Sequence, residues 1–246
     1  MCADPAPLSV TGMSNQVALI TGASRGLGRA LAAGLAREGY ALIIDARNTD
    51  ALEATAAEIS DTGRTVTAVP GDITDPAHRV ALLRTAEQAG RLDLLVNNAG
   101  TLGASPLPAL ADYPVDELRA AFEVNVIAPI ALTQLLLPML RSRGGAVLNI
   151  TSDAADQAYA GWGGYGAAKA ALEQASNVLA AEEVAIRVWW ADPGDLRTDM
   201  HQQAFPDQDI SDRPEPDTVV PAFTRLIGER LPSGRYRAAH LMPATR

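Results

Sequence analysis

The chain of 246 residues holds one cysteine, Cys2. No internal disulfide and no cysteine-based zinc site can be built from it, which fits a reducing, cytoplasmic compartment. Lysine is as scarce. Of 20 basic residues all but Lys169 are arginine. The formal net charge is −9 and no basic block interrupts the chain, so nucleic acid is not an expected partner. Long hydrophobic runs are missing too. The longest uncharged stretch, Val124–Leu140, contains Asn125, Pro129, Thr133, Gln134 and Pro138. It is predicted to fall short of a membrane span. The opening residues lack the basic and apolar regions of a secretory signal.

What is present reads as one globular domain. Hydrophobic residues make up 48% and charged residues 20%. Residues 1–13, rich in proline and small residues, are predicted to form a flexible extension, with the domain over 14–246. Short apolar runs at Val17–Thr21, Ala41–Asp45, Thr65–Val69, Leu92–Asn97, Ala146–Thr151 and Ile186–Ala191 read as strands. They are continuously apolar rather than alternating, as strands buried on both faces are. Helical stretches lie between them. Asp50 with Glu53 reads as a capping box, and Asp75-Pro76 as an N-cap followed by proline at the first helical position. Gly39, Gly63 and Gly90 stand where helices end. Repeated β-α units imply a doubly wound parallel sheet, the Rossmann fold, with helices on both faces and ligands at the carboxyl ends of the strands.

The first strand runs into Thr21-Gly22-Ala23-Ser24-Arg25-Gly26-Leu27-Gly28 and then a helix. Missing side chains let a pyrophosphate approach the backbone, and the helix N-terminus offers free N–H groups. The same residues match the G-x-S-x-G elbow that would make Ser24 a hydrolase nucleophile. A match on the first strand leaves no earlier strand to supply an oxyanion hole, so the nucleotide reading is preferred. A Walker A loop is excluded because no Gly-Lys-Ser/Thr exists.

Ser152 lies just past the strand ending at Thr151. Tyr165 follows on strong helix sequence, and Lys169 comes one turn later on the same face. A phenol titrates near pH 10. A cation one turn away favours phenolate and brings it toward the range where acid–base catalysis works. A solvated site in this chain would carry arginine, so a lysine kept only here suggests a need for a compact ammonium.

These motifs, in order, resemble those of the short-chain dehydrogenase/reductase family from about Gln16 to Gly228. The glycine turn Thr21–Gly28, the acidic turn Gly71-Asp72-Ile73, Asn97-Asn98-Ala99-Gly100 and Asn125 carry the likeness. So do Ser152, the Tyr165–Lys169 pair, Pro193-Gly194 and Thr198. The resemblance implies hydride transfer between NAD(P)(H) and a carbonyl or alcohol carbon. Tyr165 would be the general acid/base, and Ser152 would orient the substrate oxygen. Lys169 would bind the nicotinamide ribose and lower the Tyr165 pKa, and Asn125 would hold a water leading to Lys169. Around the cofactor, Gly22, Ser24, Arg25, Gly26, Leu27 and Gly28 would cradle phosphate. Asp72 and Ile73 would contact adenine, with Asn98, Ala99 and Gly100 on the adenosine ribose side. Pro193, Gly194, Leu196 and Thr198 would meet the nicotinamide end. No metal is implied. A catalytically silent cofactor-binding regulator is the alternative.

Two departures from that pattern stand out. Trp189-Trp190-Ala191-Asp192 precedes Pro193 where the family usually has small apolar residues and Asn. The usual Asp-Gly-Gly ending is absent, which bears on a tetramer contact made by the last strand. Helices over Ala120–Leu140 and Tyr165–Ala181 carry surplus apolar residues, and their family equivalents form a four-helix dimer interface, so a homodimer or homotetramer is expected. On cofactor choice, Asp45 sits one residue before the position that selects NAD, which is Ala46. Arg47 and Arg25 stand where NADP-preferring relatives place basic residues. NADP(H) is therefore predicted, with NAD(H) second. The substrate pocket is expected from Leu102–Leu107, Ala154–Gly164 and Leu196–Ser211, with a lid near residues 195–213.

Overall fold

The computed structural model describes residues 16–242, so the predicted extension at residues 1–13 lies outside the described residues. Six strands appear within one or two residues of their predicted places. They are β1 (Val17–Ile20), β2 (Ala41–Ala46), β3 (Val66–Pro70), β4 (Leu94–Asn97), β5 (Ala146–Ile150) and β6 (Arg187–Asp192). A seventh, β7 (Gly234–Arg237), was not predicted from the sequence. Its Gly-Arg-Tyr-Arg sequence lacks the apolar run that marks the others: its residues are only half-buried, and its two arginines form ion pairs. The sheet order is β3-β2-β1-β4-β5-β6-β7, with all pairs parallel.

Helices cover both faces. On one lie α1 (Gly26–Arg37) and α8 (Val220–Gly228), burying Leu31, Leu35, Phe223 and Leu226 against Ile20, Ile44 and Trp189. On the other, α3 (Pro76–Gln88) and α5 (Ala128–Arg143) bury Leu82, Leu132, Leu136 and Leu140 against Leu19, Leu95 and Val147. Helix α2 (Thr49–Ser60) starts differently from the predicted capping box. Asn48 is the cap, its side chain accepting the Ala51 N–H at 2.9 Å, and Asp50 falls inside the first turn. Asn is as good a cap as Asp and sits at the extended residue just before the helix. The Asp75-Pro76 start is as predicted, with Asp75 accepting the Ala77 N–H. Gly39, Gly63 and Gly90 all follow helices with positive φ.

The helix predicted around Ala120–Leu140 is longer and interrupted. It comprises α4 (Val115–Phe122), a π-helical turn Glu123–Ile127 and α5. By length and composition the whole run is apolar enough to cross a membrane, contrary to the shorter uncharged stretch read from the sequence. Here α5 packs its apolar face on the sheet, as a core helix does. After β5 come a 3-10 turn (Asp153–Ala155) and α6 (Gly163–Glu182). After β6 come α7 (Asp199–Ala204) and α8, and a short α9 (Ala238–Leu241) closes the described chain.

Candidate active site

The glycine turn lies between the ends of β1 and β4. Gly22 has φ +67, and a Cβ on Gly28 would stand 2.3 Å from the Gly22 oxygen and 2.5 Å from Asn98 Nδ2. Only glycine allows that approach. The Arg25 side chain does not cap α1, and the first turn of α1 has no acidic residue. Its free amides and partial positive charge suit a pyrophosphate. Leu27 is buried beneath the turn and Ser24 is half-buried within it. Asn98 serves the turn directly, donating from Nδ2 to the oxygens of Thr21 (2.9 Å) and Gly22 (3.1 Å). Its side chain is therefore a brace for the turn. No histidine bonds Ser24 among the described residues, and His78 is bonded to Asp45, so the hydrolase elbow lacks its base.

At the end of β2, Ala46 faces the α1 side and Asp45 the α3 side. The Asp45 carboxylate accepts the Gly22 N–H at 2.9 Å and meets His78 Nε2 at 2.9 Å. Burial pushes its pKa up while His78 and Gly22 hold it down. With both oxygens occupied and 1% of the residue exposed, Asp45 has nothing to offer a ribose hydroxyl. Arg47 is exposed and forms no ion pair among the described residues. Arg25 is engaged, with Nη1 2.8 Å from Asp199 at the start of α7. Asp72 bonds Thr74 through N–H and hydroxyl, and these bonds, helped by Arg47, lower its pKa. Ile73 is buried beside it.

Ser152 stands two residues beyond the end of β5, and α6 brings Tyr165 and Lys169 to face it. All three belong to one site. Tyr165 is buried, and Lys169 is 4% exposed. Lys169 Nζ donates to the Ile150 oxygen at 2.9 Å and lies 5.5 Å from the Tyr165 ring centre. Burial lowers its pKa from 10.5 to about 8. The Tyr165 pKa is raised, first by burial and then by the Asp192 charge, while a hydrogen bond with Ser152 pulls it down. The net direction is thus upward, with burial the largest cause. Enclosure of the phenol disfavours its charged form. Ser152 Oγ donates to Asp153 Oδ1 and accepts the Ala154 N–H, both at 3.2 Å.

Asn125 sits in the π-helical turn and is fully buried. Its amide donates to the oxygens of Thr101 (2.8 Å) and Ala121 (2.9 Å), and its Oδ1 accepts the Thr101 N–H. The side chain thereby fixes the loop after Gly100. A Cβ on Gly100 would stand 3.0 Å from Asn125 Oδ1 and 3.7 Å from Lys169 Nζ. Ala99 packs against the α5 side of the core. Leu102, Ala154 and Tyr165 form an apolar cluster with Leu107, Trp162, Met200 and Ala204. Pro193 and Gly194 follow β6. Gly194 has φ +77 with open space where a Cβ would be, Leu196 is buried, and Thr198 caps α7 by accepting the His201 N–H. The segment predicted as a lid carries α7 and is anchored by Arg197 N–H to the Pro214 oxygen.

Sequence reasoning missed the His78 partner of Asp45 and the two arginines of β7. A buried histidine in a first helical turn has no sequence signature. The arginines of Ser233-Gly234-Arg235-Tyr236-Arg237 read as solvated, whereas both are drawn into ion pairs.

Residues 16–209 match the family model described as short chain dehydrogenase. An uncharacterized oxidoreductase, YciK, of Escherichia coli K12 is 33% identical over 228 residues, 88% of each chain. A 3-oxoacyl-acyl-carrier-protein reductase of rhamnolipid biosynthesis from Pseudomonas aeruginosa is 39% identical over 183 residues, covering 70% of this chain and 68% of that one. Among solved structures, a short chain dehydrogenase from Shigella flexneri complexed with NADP superposes with TM-score 0.86 at 31% identity, covering 92% of this chain and 98% of that one.

Proposed function

The chain belongs to the short-chain dehydrogenase family and is an NAD(P)-dependent oxidoreductase, and on that premise we propose that it reduces apolar carbonyl compounds with NADP(H) as preferred cofactor. The observation that carries the reaction is the enclosure of Tyr165 and Lys169 beside Ser152, at the carboxyl end of β5 and next to a glycine turn. The cofactor preference rests on Asp45 turned inward and Arg47 left exposed. A bidentate guanidinium suits a 2′-phosphate.

The residues present fit a dinucleotide: uncapped amides at α1, no acid in its first turn, and a glycine cradle that a Cβ would fill. Gly22–Gly28 would hold its phosphates, Asp72 and Ile73 its adenine end, and Gly194–Thr198 with Lys169 its nicotinamide ribose. When bound, the nicotinamide supplies or accepts the hydride. In reduction, Ser152 Oγ gives its proton contact to the substrate oxygen in place of Asp153. Tyr165 then transfers its phenolic proton to that oxygen. Lys169 offers a positive charge against the developing phenolate, which electrostatics favours most in a dry site. Leu102, Leu107, Trp162 and Met200 exclude water from the carbonyl.

We further propose a cytoplasmic homo-oligomer. The single cysteine supports the compartment. A groove of about 340 Å³ between α5 and α6, lined by Pro129, Ile130, Leu137, Ala175, Val178 and Leu179, supports self-association.

The test is turnover of a panel of aliphatic and aromatic ketones, aldehydes and 3-oxoacyl thioesters with NADPH and with NADH. NADPH is expected to bind at least about tenfold tighter, or ~1.4 kcal/mol, with Arg47→Ala erasing most of the gap. Tyr165→Phe should abolish reduction and leave NADPH affinity intact. Equal affinities refute the cofactor reading, and an active Tyr165→Phe refutes the catalytic one.

A further inference from the structure

One departure from the family pattern, Asp192, meets the edge strand β7 in space. Strand β7 pairs with β6 so that Arg237 lies beside Asp192 and Arg235 beside Trp190. Both arginines project to one face of the sheet. Arg237 reaches Asp192 Oδ2 at 3.9 Å and Asp156 Oδ2 at 3.3 Å. Arg235 donates from Nε to both oxygens of Glu173, at 2.9 and 3.1 Å, and from Nη2 to the main-chain oxygen of Ser152 at 3.2 Å. It also lies 3.5 Å from Asp156. Glu173 in turn accepts the Thr151 hydroxyl at 2.7 Å. Glu173 sits one turn beyond Lys169 and two beyond Tyr165 on α6, so it shares their face.

One arginine thus ties the strand end bearing Ser152 to the helix bearing Tyr165. The other pairs with a buried carboxylate that the phenol feels. We propose that Arg235 and Arg237 are positioning residues of the hydride-transfer reaction, Arg235 by fixing Ser152 against α6 and Arg237 by offsetting the Asp192 charge at Tyr165. The proposal rests on the oxidoreductase reading above.

The charges facing the phenol come from three elements. Asp192 stands on β6, Asp153 on the turn after β5, and Lys169 on α6 itself. Asp192 is 8% exposed in its side chain. Its Oδ1 accepts the Gly194 N–H at 2.8 Å, and Arg235 and Arg237 act to keep it ionised against burial. An ionised Asp192 opposes phenolate formation, and Arg237 weakens that opposition. Half-buried pairs of this kind are screened less than surface pairs. A merely structural role would leave the ionisation of Tyr165 where it was.

The experiment measures alcohol oxidation against pH, using the alcohol of whichever panel ketone turns over, in the unmutated enzyme and variants. NADPH affinity is read separately by fluorescence titration. Oxidation rises with pH as Tyr165 loses its proton. Asp192→Asn should move that limb down by about half a pH unit, and Arg237→Met should move it up by a similar amount. Arg235→Met should lower kcat about tenfold or more with NADPH affinity within about twofold, because misplacement costs rate rather than cofactor binding. Arg235→Lys, which keeps the charge should the methionine variant fail to fold, should retain part of the rate. An unmoved limb in both Asp192→Asn and Arg237→Met, or unchanged kcat in Arg235→Met or in Arg235→Lys, overturns the proposal. An active Tyr165→Phe would instead overturn the oxidoreductase assignment on which it rests.

Discussion

Lys169 should make the protein more stable in mild alkali, and the size follows from its burial. With 4% of the residue exposed and one acceptor, the Ile150 oxygen, the ammonium loses most of its hydration on folding. Its pKa falls from 10.5 unfolded to about 8 folded. Between those values the unfolded chain binds a proton that the native one does not, so unfolding free energy rises with pH. Below the folded value both states are charged and the native state bears the full penalty, about 3 kcal/mol. Raising the pH from ~7.5 to ~9.5 should recover about 2 kcal/mol of it. The assay is urea unfolding at both pH values for the unmutated protein and Lys169→Met, which removes the titrating group at similar length. The difference between the two proteins isolates the lysine from other groups that titrate in the window. Identical pH dependence would show that Lys169 keeps its ordinary pKa in the fold, and the desolvation argument would fail.

Other outcomes follow from packing. Gly28→Ala places a methyl 2.3 Å from the Gly22 oxygen and against the Asn98 brace; it should cost ~1–3 kcal/mol and weaken NADPH binding more than tenfold, about 1.4 kcal/mol or greater, read by melting and titration. Trp189→Ala empties a fully buried position and removes the donor to the Leu231 oxygen, so urea unfolding should register a loss of ~3–5 kcal/mol. Val178→Glu puts a charge into the α5/α6 groove and should abolish the proposed self-association, read as a monomer by light scattering, without loss of the fold.

Much of this was legible because both-face burial writes itself into composition. The runs Leu42-Ile43-Ile44 and Val147-Leu148 could belong only to inner strands. Strand β7 carries no such signal, since its residues are only half-buried and its two arginines form ion pairs. Ser152, Tyr165, Lys169 and the glycine turn were legible from types and spacing, because their chemistry demands those residues. The direction of the Tyr165 shift was not. It depends on Asp192 and on full enclosure, both contributed by segments distant in sequence. The bracing role of Asn98 was not legible for the same reason, its partners Thr21 and Gly22 lying at the end of another strand. The cap of α2 failed locally, where Asn48 and Asp50, two residues apart, compete and the backbone decides. The inward turn of Asp45 followed from strand alternation, but its histidine partner comes from α3.

The three tryptophans fall into two optical environments. Trp162 stands edge-on to Tyr165 and 5.9 Å from Phe205, half-buried against the apolar cluster beside Tyr165. Trp189 and Trp190 lie in β6, with the Trp189 indole N–H bonded to the Leu231 and Pro232 oxygens that lead into β7. The chain therefore carries its own pair of emission reporters. Light from Trp162 follows what enters the pocket, whereas light from the β6 pair follows attachment of the edge strand. A protein keeping only Trp162 and one keeping only Trp189 and Trp190 would record ligand arrival and edge-strand fraying on separate channels, without any added dye.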